Sequence, residues 1–288
     1  MLNLSILYRG PLKSCNYGCG YCTLARGSTA ADHAEDEAFL ARLVAWAAGR
    51  GDDRISVFFT PAGEALIYAW YQQAIARMTQ FPGIVKVIAQ TNLSSPLDWI
   101  GTCQTDKLAL WCTYHPQRAQ RESFLNQCRL LDARGVRYSI GMVGLREHLD
   151  EAKQLRDILP PHVYLWINAF RHETDYYSPE LAEQVTAIDP LFPFSLHPHA
   201  SRGRACHTGH KVIAVEGDGT IRRCHFVAEP LGNLYQPGWE QELRPRPCPR
   251  DDCHCHIGYA HLAHLRFDTV FGEGLLERIP AYVSTSGL

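Results

Sequence analysis

Cysteines are the residues of this 288-residue chain whose chemistry is most distinctive, and the eleven of them are unevenly placed. Three lie between residues 15 and 22, and five lie between residues 206 and 255. Grouped thiols in a chain with no export signal are more often metal ligands or catalytic groups than disulfides. We therefore interpret both groups as metal-binding candidates. The isolated cysteines, interpreted as small buried core residues, are Cys103, Cys112 and Cys128.

The first group has the spacing Cys15-Asn-Tyr-Gly-Cys19-Gly-Tyr-Cys22 and follows an apolar run directly. Thiolates are the ligands of iron–sulfur clusters, and the glycines between these cysteines let a short loop curl so that the thiols converge. Three thiolates leave one iron of a four-iron cluster without a protein ligand, which is useful in catalysis, as is the open position of a catalytic metal. Zinc is the alternative, but the nearest further candidate ligand, His33, is not at zinc-finger spacing.

Apolar, β-rich runs in the first two-thirds of the chain predict six buried strands. The runs cover residues 4–8, 55–59, 85–89, 108–112, 136–142 and 164–169. Amphipathic stretches at helical spacing lie between them, a pattern typical of a parallel sheet covered by helices. Six βα units are fewer than the eight that close a full barrel. We therefore predict an α/β fold, a partial (β/α)6 TIM-like barrel over residues 1–197, with the first cysteine group at the carboxyl end of its first strand.

A second, small Cys-rich domain is predicted over residues 198–288, where the pattern changes. Residues 211–215 and 220–224 flank the turn Glu216-Gly217-Asp218-Gly219, which indicates a β-hairpin. Cys206 and Cys224 bracket this hairpin, so its strands bring them together. The remaining three thiols follow in the pattern C-x4-C-x-C. They are Cys248, Cys253 and Cys255.

The first motif, C-x3-C-x-Tyr-C after the first strand, resembles the defining motif of the radical SAM superfamily, with Tyr21 in the aromatic position. The resemblance implies a [4Fe–4S] cluster on Cys15, Cys19 and Cys22 whose open iron binds S-adenosylmethionine (SAM). It implies reductive cleavage of SAM to methionine and a 5′-deoxyadenosyl radical that abstracts a hydrogen from the substrate. It also implies an electron donor such as a flavodoxin or a ferredoxin.

Further SAM contacts are implied where the other strands end. Pro61-Ala62-Gly63-Glu64 resembles the GGE motif of the superfamily, with Ala62 in place of the first glycine. Glu64 is the expected acceptor for the methionyl amine, and its alternative role is a helix N-terminal acid favoured by the dipole. The polar strand ends expected to contact SAM, or otherwise to cap loops, are Asn92, Thr113 and Asn168. The resemblance adds Tyr21 and Gly63, so that with Glu64 six residues are expected to bind SAM. His115 is a further candidate for a proton-transfer or substrate-binding group.

The second cysteine group resembles the auxiliary-cluster domain of the superfamily, called SPASM in its long form and twitch in its short form. A Cys, a later Gly and a Cys after four more residues open that domain, as Cys206, Gly219 and Cys224 do here. Five thiols suffice for one auxiliary iron–sulfur cluster, expected to be [4Fe–4S], so the twitch form fits better. The closing pattern differs from the common CxxC, which leaves open which of the last three cysteines bind. A mixed zinc site with neighbouring histidines is the alternative.

Composition and charge limit the partners. The net charge of −2 shows no basic excess, which argues against nucleic acid, and no apolar window is long enough to span a bilayer. The first residues read as a strand and not as a signal peptide, so we expect a cytoplasmic protein. We predict an enzyme that oxidatively modifies a peptide side chain. The alternatives are dehydrogenation or rearrangement of a small polar metabolite, and a non-catalytic zinc or iron–sulfur protein with a redox or scaffold role.

Overall fold

The computed structural model describes residues 1–22 and 27–284. Within them, the main element is a nine-stranded sheet whose largest part is a run of six parallel strands paired in sequential order. These strands are β1 (Asn3–Arg9), β2 (Arg54–Phe59), β3 (Ile84–Thr91), β4 (Leu108–Thr113), β5 (Arg137–Val143) and β6 (Leu165–Asn168). Every one of the six predicted runs is therefore a strand, with bounds that differ by one or two residues.

Five helices cover the outer face of this sheet. They are α1 (Ala30–Ala48), α2 (Ala69–Thr79), α3 (Arg121–Ala133), α4 (Leu149–Ile158) and α5 (Pro179–Ile188). The main apolar core lies between them and the outward-facing strand residues; Ile6 and Val57 of the sheet belong to it together with Leu43 and Leu131 of the helices. The shorter helices, all of four or five residues, are α6 (Pro193–Leu196), α7 (His256–Tyr259), α8 (Phe267–Phe271) and α9 (Ala281–Ser284).

The connection between β3 and β4 differs from the expected six βα units. It contains the 3-10 turns Asp98–Thr102 and Thr105–Lys107 in place of an α-helix. Pro96 and Gly101 lie in this stretch. Proline lacks a backbone donor and glycine is a poor helix former, so the short segment does not sustain a longer helix.

The predicted hairpin is present, and it continues the barrel sheet. β9 (Val212–Glu216) pairs antiparallel with β10 (Thr220–Arg222), with Gly219 at φ +91 in the turn. β9 also pairs in parallel with β1, so the sheet runs in the order β11-β10-β9-β1 and then on to β6. The other strands of this region are β7 (His199–Ala200), β8 (Ala205–Cys206), β11 (Pro230–Asn233), β12 (Arg246–Pro247) and β13 (Asp252–Cys253). The boundary at residues 197 and 198 stays a prediction.

The inner face of the sheet is partly filled by the segment that follows α8. Ile279 packs with Phe58, Trp111 and Trp166 in a second apolar cluster. The neighbouring Glu277 is fully buried and bonds to side chains at the amino ends of the strands, Lys86 of β3 and Arg137 of β5. This segment closes the amino end of the barrel and leaves the carboxyl end for the cysteine loop. No helix in the described ranges combines the length and apolar character needed to cross a bilayer.

Candidate metal and cofactor site

The N-terminal cysteines lie on the loop after β1, at the carboxyl edge of the sheet, as predicted from the sequence. Cys15, Cys19 and Cys22 line one cleft of about 200 Å³. The other residues lining it come from the same loop and from the ends of β2, β3 and β4. They are Tyr17, Pro61, Ala62, Gly63, Glu64, Gln90, Thr91, Asn92, Thr113 and His115. The structure therefore brings the three thiols together with four of the six residues expected to bind SAM.

Close packing at Gly63 fixes the start of the cysteine loop. A Cβ atom at this position would lie 1.9 Å from the carbonyl oxygen of Ser14, so only glycine fits against the loop backbone. The backbone N–H of Glu64 donates to the same carbonyl over 3.0 Å. The GGE-like sequence thus supports the loop directly, and Gly63 is required there for steric reasons.

Side chains from two other strand ends hold the rest of the loop. The Asn92 amide donates to Asn16 Oδ1 over 2.9 Å, and its Nδ2 lies 3.9 Å from Cys15 Sγ. From the loop after β4, the Arg118 guanidinium donates to the carbonyl of Gly18. The sequence carried no signal for Arg118, because only the fold places residue 118 beside residue 18.

Glu64 is 3% exposed, and its carboxylate binds the ends of β2 and β3 together. Its Oε1 accepts from the Leu66 N–H at 3.0 Å and from the Thr91 hydroxyl at 2.9 Å, and its Oε2 accepts from the Asn92 N–H. Burial raises the pKa of Glu64 to about 7, against the opposing effect of these hydrogen bonds. A carboxylate has about four acceptor positions, so three bonds leave one for a cation in the cleft. The capping role and the ligand role of Glu64 are thus compatible.

Tyr21 and His115 form a contact beside Cys19. The Tyr21 hydroxyl lies 2.6 Å from His115 Nδ1, and that nitrogen lies 3.6 Å from Cys19 Sγ. The two rings stack with centroids 6.0 Å apart, and Tyr17 meets the imidazole edge-on. Tyr21 therefore supports the cleft from behind His115. It is not among the lining residues themselves.

Asn168 ends β6 on the same edge of the sheet, but it too is absent from the residues lining this cleft. Its Oδ1 accepts from the guanidinium of Arg278 over 2.8 Å. Arg278 is 1% exposed and lies over the ring of Trp166, 4.6 Å from the centroid. Sequence reasoning had no means of finding this partner, since it lies 110 residues further along the chain.

The five C-terminal thiols also come together. Burial raises the pKa of Cys253 to about 12, and the nearby thiols that raise it further are Cys224, Cys255, Cys206 and Cys248. Short strands explain part of this convergence. Cys206 of β8 pairs with Arg246 of β12, and the N–H of Cys248 donates to the Arg204 carbonyl. This backbone pairing places Cys248 beside the strand that carries Cys206.

Arg223 connects Cys224 to these strands. Its guanidinium is 4% exposed and donates to the carbonyls of Pro247 and Arg246. Cys253 lies in β13, with its sulfur against Gly258, where an added Cβ atom would lie 2.7 Å from Sγ. Cys255 has a different setting, because the charged side chains that most affect its pKa are Arg9 at the end of β1 and Arg171 after β6.

The donor chemistry at both places suits a multi-iron group. Burial raises the pKa of Cys15 and Cys19, as it does for Cys224 and Cys253, so their thiolates need positive charge nearby. Among residues 1–22 and 27–284, no three His, Cys, Asp or Glu side chains gather around the position of a single metal ion. Each thiolate of a four-iron cluster binds a different iron, so such ligands surround a group and not a point.

Comparisons with known proteins found likeness at the level of structure. No protein-family model matches the chain, and no curated protein sequence matches it. The structure of anSMEcpe with bound AdoMet (SAM) aligns with a TM-score of 0.53 and 13% identity over 83% of each chain. That of anSMEcpe with bound AdoMet and Cp18Cys peptide aligns with a TM-score of 0.52 and 15% identity, covering 83% of this chain and 82% of the other. At these identities the likeness shows that the chain shares the fold of those structures.

Proposed function

We propose that this chain is a radical SAM enzyme. The observation that carries the proposal is one cleft at the carboxyl end of the sheet that Cys15, Cys19 and Cys22 line together with Glu64. Spacing, strand context and tertiary placement agree, since the C-x3-C-x-Tyr-C motif lies on the β1 loop, where barrel active sites are built. The likeness to a structure with bound AdoMet supports the same assignment.

The three thiols would hold a [4Fe–4S] cluster, and the other cleft residues would bind SAM. When bound and reduced, the cluster supplies the electron that cleaves SAM and generates a 5′-deoxyadenosyl radical. Glu64 offers its remaining acceptor position to the methionyl amine. Asn92 and Thr113 provide polar groups at the neighbouring strand ends, and Gly63 keeps the loop close enough for all of them to reach one ligand. Tyr21 acts from behind this layer through His115, whereas Asn168 accepts a hydrogen bond from Arg278 and does not line the cleft.

The C-terminal region would hold one auxiliary iron–sulfur cluster of the twitch type. Cys206 and Cys224 open this set, and Cys248, Cys253 and Cys255 supply the remaining ligands. The mutual proximity of five buried or half-buried thiols supports the proposal, because such a group of anions is unfavourable without a cation. The cluster would accept an electron from the substrate or anchor it. An external donor such as a flavodoxin or ferredoxin would reduce the SAM-cleaving cluster.

We propose oxidative modification of a peptide side chain as the reaction. The support is the likeness to anSMEcpe with bound AdoMet and Cp18Cys peptide, together with the predicted auxiliary cluster. The alternative is dehydrogenation or rearrangement of a small polar metabolite. Incubation of the reduced enzyme with candidate peptides and with aminocyclitol-type metabolites separates the two, because substrate raises the yield of 5′-deoxyadenosine above the uncoupled rate.

The central test is SAM cleavage by protein purified without oxygen. Iron and sulfide are counted, the protein is reduced with dithionite, and 5′-deoxyadenosine is measured by chromatography. Turnover above a Cys15→Ala control supports the enzyme. A protein that contains zinc in place of iron, or one that holds iron but gives no 5′-deoxyadenosine above that control, would favour a non-catalytic scaffold or redox protein.

A further inference from the structure

The sulfur of Cys19 lies beside a pair of aromatic side chains, Tyr21 and His115. His115 Nδ1 lies 3.6 Å from Cys19 Sγ and 2.6 Å from the Tyr21 hydroxyl. The Tyr21 hydroxyl is also placed to hydrogen-bond with Cys19. One sulfur, one phenol and one imidazole thus form a closed group at the wall of the cleft.

The rings are held in place, so the contact does not depend on a mobile side chain. His115 is half-buried, stacked on Tyr21 and met edge-on by Tyr17. Two further contacts anchor its loop, because the N–H of Arg118 donates to the His115 carbonyl and the Arg118 side chain donates to Gly18. An imidazole carries a hydrogen on at least one ring nitrogen, and in the Nδ1–H form it donates toward the phenol and the sulfur.

A thiolate that binds a metal can only accept hydrogen bonds. Beside it, the phenol O–H and an imidazole Nδ1–H are both able to donate, either to the sulfur directly or in series through the phenol. A reduced cluster carries one more negative charge than an oxidised one, so donors to its ligand sulfur stabilise the reduced form. Hydrogen bonds to the sulfurs are one of the factors that set cluster potentials.

We propose that Tyr21 and His115 form a hydrogen-bonding pair on Cys19 that raises the reduction potential of the SAM-cleaving cluster. Both act as positioning residues, through the ligand sulfur and not on the substrate. The inference rests on the proposed function, because it needs the cluster on this loop. It assigns to His115 a role other than the proton-transfer or substrate-binding group that its sequence position suggested.

The test is a potentiometric titration followed by electron paramagnetic resonance on the full-length, anaerobically purified holoprotein. The signal of the SAM-cleaving cluster is identified as the one missing when Cys15, Cys19 and Cys22 are all changed to Ala. Tyr21→Phe keeps the ring and removes the hydroxyl, and His115→Ala removes the imidazole. His33→Ala is the matched control, since His33 contacts the same loop at Ser14 Oγ (3.1 Å) and bonds to no thiol among the residues that the structure describes.

Both test variants should have a more negative potential at unchanged iron content, and the His33 control should match the wild type. We expect up to about a tenfold lower ratio of reduced to oxidised cluster at a fixed potential, which equals about 59 mV for a one-electron couple. His115→Gln retains an N–H donor and should recover part of the shift. It takes the place of His115→Ala if the latter fails to assemble iron.

An unchanged potential in Tyr21→Phe and in the His115 variant would overturn the inference while leaving the proposed function intact. A wild-type protein without iron on the N-terminal loop would instead remove the proposed function. The two failures are therefore distinguishable in the same set of samples.

Discussion

The two cysteine regions of this molecule differ in the number of thiols that they bring together and in what surrounds those thiols. The N-terminal loop brings three thiols to an open cleft whose other walls are polar strand ends. Three thiols are one fewer than the irons of a four-iron cluster, and the rest of the cleft is lined by residues that include Glu64 and Thr113. The C-terminal region brings five thiols together between very short strands, with more ligands than one four-iron cluster needs. A deficit of protein ligands beside a cleft suits exchangeable chemistry, whereas a surplus suits a permanently held group.

The contacts that position the thiols also differ between the two regions. The N-terminal loop is positioned by residues of the barrel, namely Gly63, Asn92 and Arg118. The C-terminal thiols are positioned partly by contacts within their own region, such as those of Arg223 with the strand carbonyls near Cys248, whereas Cys255 lies near Arg9 and Arg171 of the barrel. The two sites should therefore respond independently to most substitutions, and the experiments below test that independence.

Removing ligands should give the largest effects. Cys15→Ala should reduce 5′-deoxyadenosine formation to background, because a cluster that has lost one of only three thiolate ligands assembles poorly. Cys224→Ala should remove about half of the iron and leave uncoupled SAM cleavage measurable, since each variant empties one site only. The measurements are iron and sulfide content and 5′-deoxyadenosine yield on the same samples. Loss of all iron in either variant would mean that the sites are not independent.

A matched pair of glycine substitutions probes the packing of each region. Gly63→Ala places a Cβ atom 1.9 Å from the Ser14 carbonyl, and Gly258→Ala places one 2.7 Å from Cys253 Sγ. The first should displace the N-terminal loop and abolish SAM cleavage, because backbone cannot move aside. The second should only weaken the auxiliary site, because a side chain can shift. Each change should cost about 1–3 kcal/mol of stability, measured by thermal melting beside the electron paramagnetic resonance signal of each cluster. Equal losses in both sites would contradict this difference.

The buried carboxyl of Glu64 predicts a pH dependence that belongs to the N-terminal region alone. Its pKa is raised from 4.5 to about 7, so the folded protein holds a proton there that the unfolded chain has released. Stability should therefore be greatest below about pH 4.5 for this group and fall as the pH rises to about 7, by on the order of 3 kcal/mol. The melting temperature of Glu64→Gln should fall less than that of the wild type between pH 5 and 8. An equal fall in both would show that other groups cause it.

Substitutions of two arginines should have the smallest effects, and their costs in stability compare the two regions once more. Arg223→Met removes the donors of a buried arginine to two part-buried carbonyls and should cost about 1–2 kcal/mol. Arg118→Met removes a donor to Gly18 from a residue on the surface and should cost about 0.5–1 kcal/mol. Thermal melting orders the two variants, and iron content shows which cluster is affected. A larger cost for Arg118 would mean that the cysteine loop depends on that contact more than the burial of the two residues indicates.

The parallel strands were predictable because each is buried on both faces. Such strands are continuous apolar runs, and the runs at residues 55–59 and 108–112 contain no charged side chain. The meeting of the cysteine loop with Glu64, Asn92 and Thr113 was predictable for a related reason, since the ends of parallel strands share one edge. The connection between β3 and β4 was not, because short 3-10 turns leave no amphipathic repeat to recognise.

Contacts between distant segments could not be predicted. Asn168 was expected to bind SAM, but in the structure it accepts a hydrogen bond from Arg278. Arg278 belongs to the C-terminal segment that packs on the inner face of the sheet. The hairpin near residue 215 was predictable from its turn sequence. The parallel pairing of its strand β9 with β1 was not, because the apolar pattern of a strand does not identify its neighbour. The partnership of Tyr21 with His115 likewise depends on a fold that brings residues 94 positions apart into contact.

The sequence by itself determined which thiols are grouped, which runs form the sheet, and at which edge the first three thiols lie. These follow from residue type, spacing and periodicity, all of which are local properties of the chain. The tertiary structure alone decided how each thiol is surrounded: the donors beside Cys19, the close contact of Gly63 with Ser14, and the four thiols near Cys253. The physical reason is that burial and hydrogen bonding depend on which segments pack together, and that choice is made by the whole core at once.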